Sequence, residues 1–235
     1  MSESAGDPRE PSDDEREVDA ELRYVATLAI VVIAGLMVAL PGRVANHPRW
    51  LVPSIAVLLA LVVLLASLNP RGADDVRHRR LRTASLLLIG LLSVANAASG
   101  ARLVIDLLRG QGIDDPPELL LTGGAIWLTN VAVFALWYWE LDRRGPLHRW
   151  RYPWRDHKAS CDFLFPQMDK AEFAGPTWRP EFVDYLYLSF TNATAFSPTD
   201  VMPLSRWGKL AMMLQSALSI VIIVLVVARA VNILD

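Results

Sequence analysis

Hydrophobic positions in this chain come in long unbroken runs separated by charged or proline-rich breaks. Four runs cover roughly 24–41, 50–68, 83–105 and 119–139, each about 18–23 residues long, and a fifth covers 210–234. At about 1.5 Å per residue, each predicts a helix able to span a hydrocarbon core of about 30 Å. The breaks between them are strong. Pro41-Gly42 ends the first run, Asn69-Pro70 ends the second, and Pro116-Pro117 precedes the fourth. The fourth closes on Trp137, Tyr138 and Trp139, rings of the kind that sit at a membrane–water boundary.

A sixth apolar segment, 181–197, is shorter and carries hydroxyls. As a helix it reaches about 25 Å, short of a full span. Pro180 and Glu181 suit a helix start, because proline is pre-set for the first turn and an acid complements the dipole there. Pro198 stops the segment. It is either a short spanning helix or one that enters the membrane and turns back. The pattern therefore divides the chain into an acidic tail over 1–21, a four-helix region over 22–141, a polar and aromatic loop over 142–180, and a C-terminal module over 181–235. The fold class is all-α: a membrane helical bundle of five long helices plus one short or re-entrant helix.

Charge sharpens this picture. Charged residues make up only 20% of the 235 positions, and they crowd into the tail and the segments 69–82 and 142–181. Nine acids stand against Arg9 and Arg16 in residues 1–21, with no aromatic among them. Such a segment cannot bury enough apolar surface to order itself and is not a signal peptide. The net charge of −2 and the apolar runs leave no basic face for nucleic acid. The 69–82 segment carries Arg71, Arg77, Arg79, Arg80 and Arg82, and the 142–180 loop carries eight basic residues. Basic loops stay in the cytoplasm, so the expected orientation puts the tail and both loops inside. If 181–197 spans, the C-terminus is inside as well.

No catalytic constellation is present, so the reading is non-enzymatic, with no cofactor and no metal. His148, His157, Cys161 and Asp162 have ligand chemistry without the spacing of a zinc site. A lone cysteine also excludes an internal disulfide. Polar groups at membrane depth carry more information, because each needs a partner or water. Ser93, Asn96, Ala97, Ser99 and Gly100 form a small, weakly polar stripe in the third run, and Thr129 and Asn130 lie in the fourth. These read as close helix–helix packing. The densest set is Thr191, Asn192, Thr194, Ser197, Thr199 and Asp200, beside Phe190 and Phe196. Irregular polar chain at membrane depth is tolerated where it is buried in protein or lines a wet cavity. In the last run, Gln215 and Ser219 share one helix face and are expected to turn, with Ser216, toward this set.

At these residues the sequence resembles the pore domain of two-helix potassium channels. Ser189-Phe190-Thr191-Asn192-Ala193-Thr194-Ala195-Phe196-Ser197-Pro198-Thr199-Asp200-Val201-Met202-Pro203 follows the order of a pore helix and filter without a gap. Arg206 follows, and the last helix closes on Val227-Ala228-Arg229. Trp137-Tyr138-Trp139-Glu140 looks like the aromatic end of the helix before a pore. The likeness covers about 182–230. The chain is also similar to a bacterial family of predicted inner-membrane proteins of unknown function, through Ser189-Phe190-Thr191, Thr199-Asp200-Val201 and Ala230-Val231-Asn232. Ser197 and Thr199 stand at the filter glycines and Pro198 at the filter tyrosine. The resemblance thus implies a degenerate pore module in the bacterial inner membrane, as a multi-pass protein embedded in the lipid bilayer. It implies a homo-oligomer, a tetramer by analogy, and a weakly selective path for monovalent cations. The alternative is a non-conducting structural or partner-binding membrane protein.

Overall fold

The computed structural model describes residues 31–36, 38, 54, 57, 75–111, 113–151, 154, 161–170, 172, 174–175, 178–194 and 200–234. The first two apolar runs, apart from the helical stretch 31–36 and three single positions, and the acidic tail lie outside the described residues. The rest is mostly helical. Six helices follow in chain order: α1 (Asp75–Leu108), α2 (Pro116–Leu141), α3 (Pro146–Arg151), α4 (Pro166–Asp169), α5 (Phe182–Thr194) and α6 (Arg206–Leu234). A 3₁₀ turn (Asp142–Arg144) follows α2, and β1 (Phe163–Leu164) pairs antiparallel with β2 (Met202–Pro203). Three helical segments are long and apolar enough to cross a membrane: Arg82–Leu108, Pro116–Arg144 and Arg206–Ile233.

Local chemistry sets the element ends. Asp115 caps α2 by accepting the Glu118 N–H at 3.1 Å, and Pro116 and Pro117 occupy the first turn, where no backbone donor is needed. Helix α1 begins seven residues before Arg82, inside the segment expected to be a loop. Arginine is a good helix former, so the basic stretch prolongs the apolar helix. The 142–180 segment is likewise not a plain loop. Its described residues include the 3₁₀ turn, α3, β1 and α4, which lie at one end of the bundle, hereafter the cap end.

Helix α2 is the axis. Every residue from Thr129 to Leu136 is buried, as are Tyr138, Trp139 and Glu140, which fits a helix surrounded by neighbours. Helices α1, α5 and α6 all pack on it. Helix α6 contributes one seam, with Gly208, Met212, Gln215, Ser219, Ile222, Val226 and Ala230 buried. Spacings of three and four residues keep such a seam on one face. The rest of α6 presents apolar side chains outward, including Leu210, Met213, Val224 and Val227. The stripe read in the third run does face its neighbours at Asn96, Ser99 and Gly100, where the Asn96 amide donates to the Ile126 carbonyl at 3.3 Å. Ala97 departs from that reading and is exposed, while Ala95 takes the buried position. The terminal rings of α2 are a second correction. Tyr138 is 0% and Trp139 5% exposed, because the cap segment covers them instead of water.

Within 181–197 the described residues form α5 and its approach. Its first residue, Phe182, stacks edge-on against Trp139 at 5.8 Å, near the cap end of α2. Its last turn reaches Trp127, whose indole N–H donates to the Ala193 carbonyl at 3.5 Å. The helix thus runs down α2 for 13 residues, about 20 Å. The chain then climbs back. Asp200 accepts a hydrogen bond from Tyr187 at 3.3 Å, Met202 and Pro203 pair with Leu164 and Phe163, and Trp207 donates to Asp162. Helix α6 therefore starts at the cap end and crosses to the far end, where Arg229 meets Asp114 at 3.3 Å. The end of α6 therefore lies opposite the cap end. The two basic segments do share one end, since Arg82 lies against Gly145.

One contact sets the spacing of α2 and α6. A Cβ built on Gly123 would lie 2.7 Å from one methyl of Val226 and 2.9 Å from the other. Val226 is β-branched and stiff, so the helices must part. Gly123→Ala is expected to lower stability by about 1–3 kcal/mol, measured by thermal unfolding in detergent. The double variant with Val226→Ala should recover more than half of that loss. No recovery would place the strain elsewhere.

Candidate functional site

The polar groups at depth converge on Gln215, which is 0% exposed in the seam of α6. Its side-chain oxygen accepts from the Tyr138 hydroxyl at 2.7 Å and from the Asn192 amide at 2.8 Å. Its side-chain nitrogen donates to the Ser189 hydroxyl at 2.6 Å and to the Ser189 carbonyl at 3.0 Å. Ser189 in turn donates to the Val131 carbonyl at 2.7 Å. One turn along α6, Ser219 accepts from Asn130 at 3.0 Å. Ser216 donates to the Asn192 carbonyl at 3.0 Å, and Asn192 also donates to the Met212 carbonyl at 3.0 Å. The network ties α2, α5 and α6 together at their common contact. Hydroxyls and amides suit this place because each unpaired polar atom in a low-dielectric interior is costly, and here the four bonds to Gln215 use both ends of its amide.

The four described residues of the six singled out in the sequence do not share one set of partners. Asn192 faces α6 and is committed to Gln215 and Met212. The Thr191 hydroxyl donates back to the Tyr187 carbonyl at 2.8 Å, and Thr194 donates to the Thr191 carbonyl at 2.8 Å, so both are satisfied within α5. Asp200 is exposed and carries the Tyr187 hydroxyl. Ser197 and Thr199 lie outside the described residues. Of the three residues expected to approach the polar segment, Gln215 and Ser216 reach it at Asn192, while Ser219 is buried against Asn130 on α2. Tyr138 and Ser189 were not foreseen as partners. Ser189 stands four residues before Ala193 and one turn from Tyr185 on the buried face of α5, a signal legible once the helix is assigned.

A second polar cluster closes the cap end. Asp142 is 0% exposed and accepts from the Tyr185 hydroxyl at 2.5 Å and from the Asp162 N–H at 3.1 Å. Asp162 answers by accepting from the Arg143 N–H at 2.9 Å and from the Trp207 indole at 2.8 Å. Arg149 donates to the Trp139 and Asp142 carbonyls at 2.6 and 2.9 Å, with its guanidinium 4.9 Å from the Tyr185 ring centre. The chain between these partners is strained, with φ of 48° at Arg143 and 65° at Arg144 before Gly145 at 101°. A left-handed non-glycine residue costs about 1–2 kcal/mol, and the two aspartates hold the turn in place. Sequence reading counted Arg149 among the basic residues of a loop, weighed Asp162 only as a metal ligand and did not single out Asp142. Nothing in their spacing announces the clasp, which forms only when the cap folds over α2. Among the described residues no three His, Cys, Asp or Glu side chains come together as metal ligands.

No known family model, no curated protein and no solved structure matches this chain. The assignment therefore rests on its own geometry. The class the structure defines is a mostly helical protein with three helices, among the described residues, long and apolar enough to cross a membrane.

Two expectations follow. Gln215→Ala leaves Tyr138, Asn192 and Ser189 without their shared partner. At about 0.6 kcal/mol per bond in membrane proteins, with four bonds lost, the expected destabilisation is about 2 kcal/mol in thermal unfolding, against a smaller loss for the outlying Ser216→Ala. Equal losses would dismiss Gln215 as the hub. Cys161, half-buried beside the clasp, has its thiol pushed up chiefly by burial, then by Asp142 and Asp162, against the lowering effect of Arg143. The unfolded thiol ionises first, so this contribution is constant below the ordinary thiol range and stability falls as pH rises through it. Alkylation of the folded protein should be slower than of the unfolded chain, with the gap narrowing toward high pH. Equal rates at pH 8 would contradict the burial.

Proposed function

We propose that this chain is a multi-pass protein of the bacterial inner membrane whose α2–α5–α6 unit is a pore-type module, forming in a homo-oligomer a weakly selective path for monovalent cations. The observation that carries the reading is the return of the chain to the cap end after α5. A helix of about 20 Å between two crossing helices, with both its entry and its exit on one side, is the arrangement of a re-entrant segment. The apolar outer faces of α1 and α6 are suited to lipid. Each path would lie where copies meet, past Thr191, Thr194, Ser197, Thr199 and Asp200, because Asn192 is already held inside one chain. Hydroxyls and a carboxylate replace part of a cation's hydration shell. Two glycines are replaced by Ser197 and Thr199 and one position is Pro198, so the backbone conformations of a potassium carbonyl ladder are disfavoured. A tetramer is the assembly expected by analogy.

The cap end is proposed to face the cytoplasm, since both arginine-rich segments gather there. A membrane-impermeant thiol reagent applied to intact cells should leave Cys161 unlabelled until the membrane is opened. Labelling in intact cells would reverse the orientation.

A second reading, a non-conducting structural or partner-binding protein, is favoured by one observation: the amide of Asn192 and the whole Gln215 network are satisfied within the chain. Flux of potassium, sodium and chloride through the purified protein in liposomes separates the two. The expected result is cation flux with potassium and sodium within about threefold of each other, reduced at least several-fold by Asp200→Ala. Strong potassium preference would contradict the filter argument, and no flux of any ion would favour the structural reading.

A further inference from the structure

The outward face of α5 is apolar at Val183, Leu186 and Phe190, which are 62%, 36% and 45% exposed. In the middle of this face sits a polar pair, Tyr187 and Asp200, both exposed and joined at 3.3 Å. Tyr187 is five residues below Phe182, about 7.5 Å down the helix. A carboxylate set among apolar side chains at that depth is costly against lipid and calls for a protein or aqueous partner. Asp200 has no cationic partner among the described residues.

The complementary feature lies at the start of α6. Arg206 and Lys209 occupy its first turn, both exposed, with no acid in that turn. Cations are unfavourable at this end of a helix because the exposed backbone N–H groups already make it positive. Neither residue has an ion-pair partner among the described residues. Below them the outer face of α6 continues apolar through Leu210, Met213 and Leu214. Both surfaces thus carry charge beside exposed apolar side chains, and their charges are opposite. Lys209 and Arg206 lie on α6 away from the seam that packs on α2 and α5.

We propose that a second copy of this chain covers the outward face of α5, with Asp200 of one copy meeting Arg206 and Lys209 of the next. The contact is head to tail: two different surfaces of the same chain join, so repetition closes into a ring if the rotation permits. Tyr187 holds the carboxylate in place, and the apolar residues on either side exclude lipid from the pair. This deepens the oligomer invoked above and rests on that reading for its membrane setting, but it concerns assembly alone.

The test uses the full chain in lipid nanodiscs, sized by mass photometry, with thermal unfolding to verify folding. The wild-type protein is expected to be oligomeric. Asp200→Lys should be monomeric, and so should the pair Arg206→Glu with Lys209→Glu. Mixing those two proteins should restore the wild-type size, because the reversed charges match across chains. In case the charge variants fail to fold, two differently tagged copies in a Cys161→Ser background, one with Leu186→Cys and the other with Leu210→Cys, should form a disulfide between tags. A monomeric wild type, charge variants that keep the wild-type size, folded variants that do not rescue each other, or the absence of that cross-link would overturn the proposal. If the basic residues serve lipid phosphate instead, Asp200→Lys keeps its size and mixing changes nothing. None of these readouts measures flux. A ring that does not conduct defeats only the functional reading, and a conducting monomer defeats only this one.

Discussion

Gln215 offers two donors and an acceptor from one amide, and two neighbouring helices supply its partners: Tyr138 from α2, and Ser189 and Asn192 from α5. The position of α5 depends on this arrangement. In water, hydrophobic burial would hold a 13-residue helix against its neighbours. Between helices already surrounded by apolar material, that driving force is weak, and packing and hydrogen bonds must supply the difference. A short helix with one face exposed needs a fixed polar anchor, and the Gln215 amide bonds both neighbouring helices.

The close approach follows from small residues. Gly123 admits Val226, Gly100 lies under Ile126 and Ile222, and Ser189 and Ser219 occupy little volume. Each brings backbones near enough for side chains to reach carbonyls on the neighbouring helix, as Ser189 does at Val131 and Asn96 at Ile126. Packing and polar pairing are thus one constraint. Larger residues in these places would part the helices and leave the amides unpaired.

The cap performs the matching task at the other end of α5. Two aspartates bind each other's neighbouring backbone N–H groups, and Asp162 also takes the Trp207 indole at the start of α6. Phe163 lies between Tyr138 and Trp207, at 5.3 and 5.5 Å. The cap therefore joins the end of α2, the top of α5 and the start of α6. Chain entering and leaving the α5 segment is held from above by the aspartates and from below by Gln215. The strained turn at Arg143 and Arg144 persists because so many partners fix it.

The hydrophobic runs by themselves determined three membrane-length helices near their observed places, since length and apolarity follow from residue order alone. The same holds for the cap on α2, written in Asp115-Pro116-Pro117, and for Gln215 and Ser219 sharing a face, which needs only the helical period. The polar density around Thr191 to Asp200 was legible, yet it could not say which group faces where, because hydroxyls that bond their own helix and amides that bond a neighbour look alike in a sequence. The return of α5, the burial of Tyr138 and Trp139, and the Asp142–Asp162 clasp were decided only by tertiary structure. Each requires residues far apart in the chain to meet: Tyr187 with Asp200, Tyr138 with Gln215, and Asp142 with Tyr185. A charge or ring reads as solvated until the segment that covers it is known, and here that segment is the cap.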